Sequence, residues 1–202
     1  MLKPFSLYIH WPFCLSKCPY CDFNSHVSDG VDHDRWLACF KTELSYFKEV
    51  TDGEEVVSIF FGGGTPSLMK AYVVEGILNH IHDLWQVREG CEITLEANPT
   101  SIETEKFQGF SDAGINRVSI GVQALNDSDL KFLGRQHSAK EALKAIDVAD
   151  QIFERRSIDL IYARPQQTLK EWEAELTRAL GIIKGHASLY QLTIEQGTPF
   201  YT

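Results

Sequence analysis

The sequence has no apolar run near the roughly 18 residues that a membrane-spanning helix needs. It has no run of lysine and arginine, no low-complexity tract and no internal repeat. Basic residues are the minority charge: 19 Lys and Arg stand against 28 Asp and Glu, a formal net charge of −9. So acidic a chain has no broad attraction to phosphate backbones, and no nucleic-acid partner is expected. The opening Met1-Leu2-Lys3-Pro4-Phe5-Ser6 carries one positive charge and no long apolar stretch, so no secretory signal is predicted. An Arg-rich amphipathic leader is also missing, which speaks against mitochondrial import. The 5 cysteines are odd in number and unevenly spread, unlike a secreted disulfide framework. A reduced, cytoplasmic protein is therefore expected.

What is present is a strict alternation of strand and helix signals over 202 residues, 44% of them hydrophobic. Strands are predicted at 6–10, 56–61, 92–98, 117–122, 157–162 and 189–194. A helix over 31–50 carries Trp36, Phe40, Leu44 and Phe47 at helical spacing, and Cys39 is read into the same apolar face. Thr65 and Pro66 read as the cap and first residue of a second helix. Thr100/Glu103, Ser138/Glu141 and Thr168/Glu171 have the spacing of capping boxes. They would open helices bearing Phe107 and Phe110, then Leu143, Ile146, Ala149 and Phe153, then Leu169, Trp172, Leu176, Leu180 and Ile183. Alternation of this kind means an α/β fold of parallel strands joined by helical crossovers. The chain stops where a sixth helix is due, so a parallel barrel truncated after its sixth strand is expected. An open doubly wound sheet ending in a strand is the alternative.

The loop after the first strand reads Pro12-Phe13-Cys14-Leu15-Ser16-Lys17-Cys18-Pro19-Tyr20-Cys21-Asp22-Phe23. In parallel α/β folds such loops, at the carboxyl ends of strands, carry function. Cys14, Cys18 and Cys21 put three thiols in one short loop. Three thiolates can hold three irons of a cubane cluster and leave the fourth iron open. A zinc site completed by His10 or His26 is the alternative, although zinc ribbons bring a second cysteine pair that this chain lacks. Cys91 is given no role.

In this setting the cysteine motif resembles that of the radical S-adenosylmethionine (SAM) superfamily. The flanking text narrows the resemblance. His10-Trp11-Pro12-Phe13-Cys14, Gly62-Gly63-Gly64-Thr65-Pro66-Ser67 and Glu96-Ala97-Asn98-Pro99 are similar to motifs of the oxygen-independent coproporphyrinogen III oxidase family. So are Arg117 to Gln123, Leu133-Gly134-Arg135, Asp159 to Tyr162 and Gln191 to Glu195. The true oxidases of that family have a fourth cysteine two places after the third, where this chain has Phe23. They also have a longer N-terminal extension. Both departures resemble the haem chaperone branch.

The resemblance implies a partial (β/α)6 barrel, with residues 1–202 as one radical SAM core domain lacking the family's C-terminal helix and domain. It implies a [4Fe–4S] cluster on Cys14, Cys18 and Cys21, and SAM as a second cofactor. The cluster would pass one electron to the SAM sulfonium, giving methionine and a 5′-deoxyadenosyl radical. Gly62, Gly63 and Gly64 would let the backbone approach the methionine part of SAM, and Thr65 would add a hydroxyl. Tyr8 and Tyr20 match positions near SAM. Glu96 would accept hydrogen bonds from ribose or the SAM ammonium group. Gln123, Arg135 and Asp159 match further contacts, with Arg135 suited to a carboxylate. His10 is read as structural or as a support behind the cluster ligands. The implied partners are SAM, haem or a porphyrin, and membrane-associated haem proteins as acceptors, with haem bound in the full-length protein. Coproporphyrinogen oxidation and a silent truncated family member are the competing functions. Relatives favour glycine where Gln166 stands, which marks a turn needing a positive backbone angle, and proline where Gln196 stands.

Overall fold

The computed structural model describes residues 2–202, with the backbone alone at Ser101 and Ile102. The chain opens with β1 (Lys3–Trp11), then the two-residue strands β2 (Phe13–Cys14) and β3 (His26–Val27). Next come α1 (His33–Val50), β4 (Glu54–Gly63), a short 3-10 turn at Pro66–Leu68, α2 (Ala71–Leu84) and β5 (Gln86–Ala97). The short helices α3 (Ser101–Thr104) and α4 (Phe107–Asp112) precede β6 (Arg117–Gln123). The chain continues through α5 (Asp127–Phe132), α6 (Ala139–Ile152), β7 (Arg155–Tyr162), α7 (Leu169–Leu180) and β8 (His186–Gln191).

Six of these strands form one sheet in the order β1-β4-β5-β6-β7-β8, every pair parallel. The strands alternate sides with period two. Ile9, Trp11, Ile59, Phe61, Leu95, Val118, Ile120, Ile158 and Leu160 pack into the core against the helices. Each such side chain contributes roughly 1.5–3 kcal/mol by leaving water. The other side is polar: Ser6, Tyr8, Ser58, Glu96, Ser119, Asp159, Ser188 and Tyr190 alternate with the core residues along their strands. Residues of β4, β5, β6, β7 and β8 line a single cleft on that side, so the sheet is curved into a partial barrel around it. The doubly wound alternative, with helices on both faces, is thereby set aside.

Several expectations need correction. Cys39 is exposed, because α1 turns Phe40 and Leu44 into the core and leaves Cys39 on the outer flank. Phe47 is half-exposed on the same helix, packed edge-on to Tyr46. The second helix begins at Ala71, not Pro66, and Thr65 makes no side-chain cap. The helix expected after Thr100 is two short pieces, though Glu103 does return to the Thr100 hydroxyl. A short helix, α5, was not foreseen. On α7, Leu169 and Leu180 lie exposed, and Ile183 falls beyond its end. The last strand ends at Gln191 rather than Ile194. Its partner β7 ends at Tyr162, and the next residue, Ala163, turns left-handed at φ 58°, so 192–194 have little ladder to join. The boxes at Ser138/Glu141 and Thr168/Glu171 are both closed as read.

Candidate functional site

The cysteine loop is built from its ends inward. β2 and β3 pair in parallel, so His26 donates its N–H to the Pro12 carbonyl (2.7 Å) and Ser28 to that of Cys14 (3.2 Å). Lys17 reaches across the loop to the carbonyls of Phe23 (3.1 Å) and Ser25 (3.3 Å). His10 joins the Asn24 carbonyl at 3.0 Å, the structural role expected of it. Outside the loop, the backbone of Gly64 and Thr65 donates to Trp11 and Phe13 (2.7 and 2.8 Å). These bonds fasten the loop to the carboxyl ends of β1 and β4.

All three cysteines of the loop are free thiols and line one cleft of about 270 Å³. Tyr20, Gly63, Gly64 and Thr65 line it with them, as do Glu96, Gln123, Arg135 and Asp159. Two of the expected residues stand apart. Tyr8 is 58% exposed and stacks on Phe60, and Gly62 lies beneath its ring. The space beside the glycines is filled by the chain itself. A methyl group on Gly64 would stand 2.7 Å from the Phe13 carbonyl oxygen and 3.0 Å from the Cys14 sulfur. Thr65 likewise spends its hydroxyl on the protein, donating to Cys14 Sγ at 3.4 Å.

Arg135 donates to Cys18 Sγ at 3.5 Å and to the Gly121 carbonyl at 3.0 Å, and it also holds the Asn98 side-chain oxygen. Its partners among the described residues are therefore neutral acceptors and a sulfur, not a protein carboxylate. Its Nε and the Gln123 side-chain oxygen are buried without a partner among the described residues. Gln123 also has a left-handed backbone, φ 67°, where the β6–β7 register slips. Such a conformation costs a non-glycine residue about 1–2 kcal/mol. Strain and an unmet acceptor at one position in a cleft make Gln123 a candidate ligand contact.

The carboxyl groups are shifted by their surroundings. Burial pushes Glu96 up to about 7, opposed by the N–H of Gly63 and helped by nearby Asp159. Burial also raises Asp159, against hydrogen bonds from Ser188 and Ser119. The Tyr20 hydroxyl is raised by burial, with Arg135 opposing and Cys18 adding to the rise. Burial raises the Cys21 thiol, against the Phe23 backbone N–H.

Among the described residues, no three His, Cys, Asp or Glu side chains converge on a point that would hold a single metal ion. A cubane does not need such convergence, because each thiolate goes to a different iron. Three free thiols on one cleft, two of them already accepting hydrogen bonds, fit a cluster better than one tetrahedral zinc. Asn98 and Tyr190 are among the cleft residues that escaped the sequence reading. Asn98 lies inside the Glu96-to-Pro99 motif, which was its only signal. Tyr190 follows Ser188 by two on β8, the period that places it inside the barrel.

The radical SAM superfamily profile matches residues 8–179. The chain belongs to the radical SAM superfamily. That membership implies SAM and a [4Fe–4S] cluster as cofactors. Among curated relatives, the heme chaperone HemW of Haemophilus influenzae is 43% identical over 205 residues, covering 98% of this chain and 54% of the relative. The mitochondrial radical S-adenosyl methionine domain-containing protein 1 of Danio rerio is 39% identical over 197 residues, covering 97% and 44%. Among solved structures, the coproporphyrinogen III oxidase HemN of Escherichia coli superposes with a TM-score of 0.84 at 26% identity, over 95% of this chain and 44% of that one. The chain thus spans about half the length of these radical SAM relatives. Its relatives include proteins named mitochondrial, so the family does not fix a compartment. No helix among the described residues is long and apolar enough to cross a membrane.

Proposed function

We propose that residues 1–202 are the cluster- and SAM-binding core of a radical SAM haem chaperone, acting in the cytoplasm. The observation that carries the reading is the Cys14, Cys18 and Cys21 cleft with Phe23 at its rim, where the oxidases resemble one another in a fourth cysteine. A bound cluster supplies one-electron cleavage of the SAM sulfonium. The chain's own residues hold and orient. Cys14, Cys18 and Cys21 ligate the cluster. Gln123 offers its free side-chain oxygen to a donor on SAM, and Arg135 Nε offers a free N–H to an acceptor. Glu96 and Asp159 accept from hydroxyl or ammonium groups deeper in the barrel. Tyr20 walls the side of the cleft nearest Cys18, and the glycines Gly63 and Gly64 keep the Cys14 side close-packed. Tyr8 and Gly62 form the outer rim. Haem, or another porphyrin, is the cargo of the full-length protein, with membrane-associated haem proteins as acceptors.

Anaerobic reconstitution tests the core reading: about four irons per chain are expected, and a chain that takes only zinc would overturn it. Release of 5′-deoxyadenosine with reductant and SAM reports whether cleavage occurs. Conversion of coproporphyrinogen III to protoporphyrinogen IX would replace the chaperone reading by the oxidase one. A haem titration against a version extended beyond Thr202 locates the cargo site.

A further inference from the structure

Asn98 touches neither sulfur, yet it lies between the two groups that do. Its side-chain oxygen accepts from Arg135 Nη2, whose guanidinium donates through Nη1 to Cys18 Sγ at 3.5 Å. Its side-chain N–H₂ donates to Thr65 Oγ1 at 3.3 Å. With that lone pair engaged, the Thr65 hydroxyl turns its single proton to Cys14 Sγ, 3.4 Å away. The result is a continuous bracket, Cys14–Thr65–Asn98–Arg135–Cys18. The polarity of the amide is fixed by its partners, since a guanidinium needs the oxygen and a hydroxyl committed to a sulfur needs the N–H.

The amide itself is held from behind. The Asn98 backbone N–H donates to Glu103 Oε2 at 3.0 Å. Glu103 is 1% exposed and is tied in turn to Ser67 and to the Thr100 hydroxyl. Thr65 is also buried, at 6% exposure. The Thr65 end of the bracket therefore cannot swing into water to find another partner.

We propose that Asn98 is a positioning residue that sets the reducing power of a cluster held on Cys14, Cys18 and Cys21. The inference rests on the cluster reading above. Hydrogen bonds and positive charge directed at ligating sulfurs favour the more negative, reduced cluster and so raise its potential. Chains of hydrogen bonds strengthen one another in a buried setting. Asn98 aligns one neutral donor and one cation on two different sulfurs at once. Without it, the Thr65 hydroxyl is free to rotate away from Cys14, and Arg135 loses its side-chain amide acceptor while keeping the Gly121 carbonyl.

The test is a redox titration of the anaerobically reconstituted protein, read by electron paramagnetic resonance of the reduced cluster. Wild type, Asn98→Ala and Asn98→Asp are compared. Asn98→Ala is expected to lower the reduced-to-oxidised ratio at a fixed potential about tenfold, which for one electron is about 59 mV. Asn98→Asp, of nearly the same shape, keeps an acceptor for Arg135. It loses the donor to Thr65 and would draw the hydroxyl proton away from Cys14, so its ratio falls as well. A purely structural role would lower the melting temperature and leave the ratio unmoved. Should Asn98→Ala not load, Asn98→Asp decides alone. A loaded variant whose ratio stays within about twofold of wild type overturns the proposal. Failure of the wild type to take up a cluster is a separate result, and it would overturn the function proposed above instead.

Discussion

The backbone N–H of Gly63 points at the carboxylate of Glu96 on the neighbouring strand, 3.2 Å away. This one donor does not offset burial, and the Glu96 carboxyl rises from its ordinary 4.5 to about 7. The folded protein therefore holds a proton that the unfolded chain has lost. Between those two values stability falls as pH rises, and above about 7 the full cost is present. It is on the order of 3 kcal/mol. Glu96→Gln keeps an acceptor for Gly63 and removes the charge. Its melting temperature should exceed wild type at pH 8 by several degrees and match it near pH 4.5. Thermal scans at both pH values check this; an equal gap at both would refute the buried-carboxyl account.

Gln166 carries a left-handed backbone, φ 65°, on an exposed turn after Pro165. This is the conformation that the turn was expected to need, adopted without the glycine. The strain is about 1–2 kcal/mol, offset by glycine's greater unfolded entropy of roughly 0.5–1 kcal/mol. Gln166→Gly should raise the melting temperature by about 1–3 °C, and Gln166→Val should lower it. Scanning calorimetry of the three proteins tests the order.

The parallel order of the sheet was legible because strand and helix signals alternated along the chain, and the last two long helices announced themselves locally. Ser138 with Glu141, and Thr168 with Glu171, needed no tertiary information to close their boxes. The cysteine triad was equally local. Cys39 and Phe47 were not legible, because helical spacing shows that a stripe exists and not how far the sheet covers its flanks. Tyr8 matches a position near the cofactor by resemblance alone; its ring lies over Gly62 on the edge strand β1. Asn98 needed the loops around Thr65 and Arg135 to meet before any role could be seen. No pattern along one stretch of chain carries that meeting.

The cysteine loop is braced from a second side at Gly134. That glycine has φ 68°, and a methyl group there would fall 2.6 Å from Pro19 Cδ, next to Cys18. Gly134→Ala must therefore push the loop or strain the turn before Arg135. The expected result is a drop in stability of about 1–3 kcal/mol and faster loss of iron to a chelator from the loaded protein. Chelation kinetics at a temperature where both proteins stay folded separate the two effects.

A segment beyond β8 braces the same loop. Phe200 donates its N–H to the Pro19 carbonyl at 3.1 Å. Its ring lies 4.9 Å from that of Phe132 and 6.4 Å from that of Tyr20. Phe200→Ala keeps the backbone bond and removes the cover over Tyr20. Cluster bleaching in air should quicken several-fold while the circular dichroism spectrum stays unchanged. An unchanged bleaching rate would show that the ring does not shield the loop.

Arg164 and Glu175 form a buried ion pair behind Gln123, with side-chain exposures of 3% and 7%. Glu175 also accepts the Leu125 N–H at 2.8 Å, and Arg164 donates to the Ile161 carbonyl at 2.6 Å. The pair thus ties α7 to the ends of β6 and β7, where the strained Gln123 sits. Its two halves are unequal. Arg164 has a second carboxylate, Asp129, at 2.9 Å, whereas Glu175 has no second cation among the described residues. Arg164→Met should therefore be the costlier change, about 3–5 kcal/mol, because it strands a buried carboxylate. Glu175→Gln leaves Arg164 paired to Asp129 and should cost less, about 1–3 kcal/mol. The double variant should recover part of the Arg164→Met loss, since the stranded charge is gone. Urea unfolding of all four proteins closes the cycle; additive losses would mean that the pair acts as two independent groups.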